Sequence, residues 1–259
     1  MFRFWPNVDM SLSDPKRTFP IGYNLINMLI TKEMRKLANS KIAEQSQRFM
    51  KTAKGEYGHG DVFIGIRAPE LRKLAKKYVD LSITDLKKLI KSKIHEERLT
   101  GLLILVNKYQ SAKEESERNK LYELYIKHFK YINNWDLVDV TCPKIIGRHL
   151  MDKSREVLYI WAESDHLWTK RIAIIANWWF IRNGDLRDVF KISKILLTDK
   201  HDLIHKAVGW MLREAGKKNL KALEAFLKKH YKTMPRTMLR YSIEKFPESK
   251  RQKYLSGNI

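Results

Sequence analysis

A carboxylate one helical turn beyond an indole is the arrangement in this chain best suited to chemistry. The run Trp135-Asp136-Leu137-Val138-Asp139 sets Trp135 and Asp139 four residues apart. On a helix these two side chains lie one above the other on the same face. A carboxylate beside a flat π face can stabilise positive charge on a sugar, or on the base leaving it. The plainer alternative is an acid on a helix, paired with a neighbouring Lys or Arg. Pro143 stands one turn further on. It has no N–H, so the carbonyl of residue 139 loses its helical partner and the helix is expected to bend there.

Other residues could join this pair. Trp210 lies in KAVGWMLRE, with Gly209 just before it and Arg213 three residues after. A tryptophan in an apolar helix is ordinarily core, but Gly209 would let another group approach the backbone closely. Arg171, in WTKRIAII, is followed by apolar residues that must point inward. That leaves its guanidinium facing a groove, where it can meet phosphate. Trp178-Trp179-Phe180 is too apolar for a binding platform and is assigned to the core.

The elements that would position these groups are helices. From residue 31 onward the apolar pattern has helical period, and no window alternates as a strand does. A first helix is expected over 32–53, then a glycine-rich break at Gly55-Glu56-Tyr57-Gly58-His59-Gly60. Pro69 suits the first turn of the next helix. Ser82 with Asp85, and Ser111 with Glu114, have the spacing of capping boxes. Arg98, Trp135, Arg171, Lys206 and Arg240 follow one another at 37, 36, 35 and 34 residues. A period in the mid-thirties is that of two-helix solenoid repeats, which line equivalent positions along one concave surface. The expectation is an all-α solenoid with a basic groove bearing Arg171, Lys206 and Arg240, and one aromatic–acidic station near its middle. Residues 1–31, with Pro6, Pro15, Pro20 and Gly22, read as a poorly ordered extension ahead of a single domain over 32–259. Translation starting at Met28 or Met34 would omit most of it.

Bulk composition narrows the partners. Lys and Arg number 51 against 29 acids, a formal charge of +22. Such an excess goes beyond what solubility requires and favours polyanions through long-range attraction and counterion release. Nucleic acid leads, and no segment is a dedicated membrane anchor. The single cysteine, Cys142, excludes an internal disulfide and any multi-cysteine zinc site. The eight histidines form no metal motif. His201 and His205 share a helical face but lack a third ligand, so neither metal nor cofactor is expected. No apolar run approaches the roughly 20 residues of a membrane-spanning helix.

The chain also resembles a known family. NNWDLVD (133–139), WTKRIAII (168–175), HDLIHKAVGWMLREAG (201–216) and MPRTMLRYSIEKF (234–246) occur in the order found in the AlkD-like DNA alkylation repair glycosylases. The likeness spans about residues 40 to 255. It implies an α-solenoid of HEAT-like two-helix repeats that excises cationic alkylated purines, such as 3-methyladenine and 7-methylguanine, from duplex DNA without flipping the base. Asp139 matches the family's catalytic aspartate, and Trp135 and Trp210 match the tryptophans packed against the lesion's deoxyribose. Arg171 matches a phosphate-contacting arginine, and Arg213 sits where a further DNA-facing arginine is expected. An alkylated purine is already a good leaving group, so a lone carboxylate suffices where neutral glycosides need two. No lysine is placed as a Schiff-base nucleophile, so the glycosylase expected is monofunctional; a monomer in the cytoplasm, nucleoid-associated in a prokaryote, is the expectation for its state and location. The competing readings are a non-catalytic binder of distorted or branched DNA, and a helical scaffold for RNA or an acidic protein. The catalytic reading requires that Asp139 not be withdrawn from the groove and neutralised by a Lys or Arg.

Overall fold

The computed structural model describes residues 25–259. The chain folds into helices α1 (Leu25–Leu37), α2 (Ser40–Phe49), α3 (Ala68–Lys77), α4 (Ile83–Ile90), α5 (His95–Ser111), α6 (Glu115–Ile126), α7 (Trp135–Cys142), α8 (Glu156–Ala162), α9 (Leu167–Ile175), α10 (Asn177–Arg182), α11 (Arg187–Ile195), α12 (Asp202–Lys218), α13 (Leu220–His230), α14 (Arg236–Ser242) and α15 (Glu248–Ser256). No strand occurs among the described residues, only an isolated bridge between Val62 and Ile94.

Helix boundaries follow local chemistry. Pro69 sits in the first turn of α3, and Ser82 caps α4 by accepting from Asp85 N at 3.1 Å. Two expectations fail. The helix over 32–53 is two helices, because Asn39 Oδ1 accepts from Ile42 N at 3.1 Å and starts α2 afresh. Ser111 is no cap: it ends α5 with its hydroxyl bonded back to Asn107 O, and Glu114 precedes α6 without a side-chain cap. The boundary placed at residue 31 falls inside α1, where Ile30 and Met34 are fully buried. The rest of the expected extension, residues 1–24, lies outside the described residues.

The helices form two layers. Inner helices α5, α7, α9, α12 and α14 pack in succession, and α6, α8, α11 and α13 back them. One apolar core runs through the stack, from Ile30 in α1 to Tyr254 in α15. Each fully buried Leu or Ile in it contributes roughly 1.5–3 kcal/mol. The inner register differs from the column aligned on sequence. Asp139, Arg171, Lys206 and Arg240 each stand four residues after the first residue of α7, α9, α12 and α14. Asp139, not Trp135, therefore holds the place that is basic in the neighbouring repeats. Arg98 leaves the row as well, buried against Asp61 at 2.6 Å.

Pro143 acts where its missing N–H requires, though not as a simple bend. Beyond α7 the chain widens into a π-helical turn, Pro143–Gly147, buried against α10. Gly147 meets Ala176 there at a distance that leaves no room for a Cβ.

Candidate functional site

Inner helices α7, α9, α12 and α14, with the end of α2, line a cavity of about 990 Å³. Its walls carry Trp135 and Asp139 from α7, Arg171 from α9, Lys206, Trp210 and Arg213 from α12, and Tyr241 from α14. Tyr57 and Lys51 from the glycine-rich loop complete one side. Six of the seven side chains singled out in sequence thus line one space. The seventh, Arg240, is exposed on α14 and is not part of the wall.

Asp139 and Arg171, equivalent residues on adjacent repeats, face each other. Arg171 Nε donates to Asp139 Oδ1 at 2.9 Å, and Nη2 donates to Oδ2 at 2.8 Å. Nη1 donates to Leu203 O at 2.6 Å, tying the pair to α12. This is the bidentate geometry that makes arginine–carboxylate contacts strong. Burial raises the Asp139 pKa above the usual carboxylate range, and Arg171 opposes that rise. The acid is thus neutralised by an arginine, as the plainer reading of the sequence had it. It is not withdrawn, however: its side chain keeps 13% exposure and forms part of the cavity wall. Arg171 is likewise not a free groove cation. Three of the five N–H donors of a guanidinium are engaged within the protein.

The other cations are partnered too. Lys206 pairs with Asp202 at 2.7 Å, and Arg213 contacts Glu244 and Glu214. Trp210 is half-buried, against the core on one side and in the cavity wall on the other. Gly209 does admit a close neighbour, and that neighbour is α14. A Cβ at 209 would lie 2.6 Å from Met238 O and 2.5 Å from the Tyr241 Cβ.

Beneath the start of α7 lies a buried cluster that sequence reasoning missed. Asn134 caps α7 by accepting from Trp135 N at 2.8 Å. Asp136, in its first turn, accepts from His95 Nε2 at 2.8 Å, and His95 Nδ1 lies 3.1 Å from Asp61. Arg98 and Asn133 also bond Asp61. Burial pulls the His95 pKa down, but the Asp136 and Asp61 carboxylates outweigh it and carry the ring up to about 9. Burial alone would raise Asp61, yet His95 and Arg98 hold it below the usual carboxylate range. A protonated His95 thus pins Asp136, and with it the helix that presents Trp135 and Asp139. The signal available in sequence was Asp136 itself, an acid in the first turn of a helix.

Among the described residues no group of His, Cys, Asp or Glu is placed to hold a metal ion. No helix there is long and apolar enough to cross a membrane.

These features define an all-α repeat protein whose inner helices share one cavity of indoles, an arginine-paired carboxylate and further cations. The chain belongs to the DNA alkylation repair enzyme family, whose model matches residues 30–246. Its fold is similar to that of a protein described as a predicted DNA alkylation repair enzyme from Enterococcus faecalis. That structure superposes with a TM-score of 0.64 at 18% identity, covering 82% of this chain and 97% of that one. At that identity the likeness speaks for the fold. Among proteins of curated function, none matches the sequence.

Proposed function

We propose that the protein is a monofunctional DNA glycosylase that hydrolyses the N-glycosidic bond of cationic alkylated purines in duplex DNA. The observation that carries this reading is the position of Asp139, an oriented carboxylate in the wall of a cavity shared with Trp135 and Trp210. As the base departs, positive charge develops on the deoxyribose. A fixed carboxylate and the electron-rich faces of two indoles favour that charge without reorganising. The base leaves neutral, so no acid is needed to protonate it, and neutral lesions are expected to be poor substrates.

Arg171 serves this reaction in two ways. Its pairing opposes the rise that burial imposes on the Asp139 pKa and holds the carboxylate in one orientation. Its two uncommitted N–H groups remain for a phosphate of the damaged strand. Lys51, Lys206 and Arg213 add positive charge around the cavity. The DNA backbone is then held through phosphate and sugar, consistent with capture of the lesion without base flipping. Neither metal nor cofactor takes part, and the protein acts as a monomer in the cytoplasm.

The same ion pair favours a second reading, a non-catalytic binder of distorted or branched DNA in which Asp139 only organises Arg171. Chromatography of bases released from N-methylated duplex decides between them. Release of 3-methyladenine or 7-methylguanine supports the glycosylase. Binding of distorted duplex with no base released supports the binder.

A further inference from the structure

The outer layer carries a groove whose positive charge has no counterpart in the protein. Helices α11 and α13 both pack on α12 and leave between them an open groove of about 420 Å³. On α13 the ridge Ala222, Phe226 and His230 faces it, one helical turn between each, and on α11 Phe190 and Lys194 stand one turn apart. The floor is apolar: Phe190 and Phe226 meet across it with ring centres 5.5 Å apart, and Phe226 meets His230 at 4.7 Å.

The rim is basic. Lys191, Lys194 and Lys229 line the groove, all exposed. None of the three has a hydrogen bond or ion pair with another described residue. The acids that could answer them are committed elsewhere. Asp188, the one acid of α11, accepts from Arg155 Nη1 at 2.7 Å and from the Tyr159 hydroxyl. Glu224, the one acid of α13, accepts from Lys250 of α15. Burial lowers the His230 pKa, and Lys194 and Lys229 lower it further, so positive charge converges on this end of α13.

A ligand for this surface must bring both negative charge and apolar surface. Backbone phosphates bring only the first, and lysines offer them point charges without the bidentate fork of arginine. The bases of a single strand need open ring faces to stack on, whereas Phe226 is 8% exposed between Phe190 and His230. Carboxylates flanking a large apolar side chain satisfy both demands.

We propose that the groove between α11 and α13 docks an acidic peptide segment of a partner protein. One large apolar side chain sits over Phe190 and Phe226, and the peptide's carboxylates lie among Lys191, Lys194 and Lys229. Helix α12 separates this groove from the cavity to which it contributes Lys206, Trp210 and Arg213, so peptide and DNA can be held at once. The docking does not depend on the chemistry at Asp139.

Fluorescence anisotropy of the full chain with a labelled peptide of aspartates ending in phenylalanine tests this. Saturable binding is expected, weakened about tenfold when alanine replaces the phenylalanine. Saturating duplex DNA should leave the peptide bound. The double variant Lys194→Gln with Lys229→Gln should weaken peptide binding about tenfold. Its melting temperature should be unchanged, and its affinity for duplex should fall less than its affinity for peptide. Loss of affinity for duplex or single-stranded DNA as large as the loss for peptide would make the groove a nucleic-acid surface and overturn the proposal. Displacement of the peptide by duplex, no binding, or binding indifferent to the phenylalanine or to the two lysines would overturn it equally.

Discussion

Replacing His95 with Gln tests how the start of α7 is held. The imidazole is buried between Asp61 and Asp136, at 3.1 and 2.8 Å, with its ring stacked on Phe63. Its pKa of about 9 in the folded protein, against an ordinary 6.5, corresponds to about 3 kcal/mol of folding stability. The folded pKa is the higher one, so this contribution is whole below about pH 6.5. It shrinks as pH rises and is gone once the ring has titrated near pH 9. Glutamine can still donate to one carboxylate, but it carries no charge and does not stack on Phe63. The lost stacking is independent of pH. The stability gap between wild type and His95→Gln, measured by urea unfolding, should therefore be widest near pH 6. It should narrow by about 3 kcal/mol by about pH 10. A gap that stays constant over this range would show that His95 is not the cation clamping Asp136.

Two further changes probe the cavity wall. Gly209→Ala forces a methyl group against Met238 O and Tyr241, and should cost about 1–3 kcal/mol by overpacking. The melting temperature should fall, and because Tyr241 lines the cavity, affinity for duplex DNA should fall with it. Arg171→Ala should weaken binding to all duplexes and flatten the salt dependence by about one phosphate contact. It also strips Asp139 of its counter-charge, which for a buried pair costs on the order of 3–5 kcal/mol. A variant as stable as wild type would show the pair to be energetically idle.

Much of this architecture could be read from the sequence because it is written in local chemistry. A proline in a first turn, a serine three residues before an aspartate, and a run of glycines each act over a few residues, and each stands where expected. The split between α1 and α2 was missed because a single Asn39 cap interrupts an otherwise continuous helical pattern. The basic column is legible once helix starts are aligned, but the start of α7 is not: Trp135 itself opens that helix, so the equivalent position is Asp139, and the pairing with Arg171 emerges only from the structure. His95 was not legible as part of the site. Its role arises from a contact with α7 made across 41 residues of chain, which no local pattern encodes.

The claim that Asp139 drives bond cleavage is tested most directly by single-turnover release of 7-methylguanine from methylated duplex, comparing wild type with Asp139→Asn. A unit positive charge about 4 Å from the carboxylate is stabilised by about 4 kcal/mol at an effective dielectric of about 20, and by roughly half that where Arg171 stays paired. Removing the charge should therefore slow release about 30- to 1000-fold while duplex binding persists. Release by the variant at the wild-type rate would contradict the account.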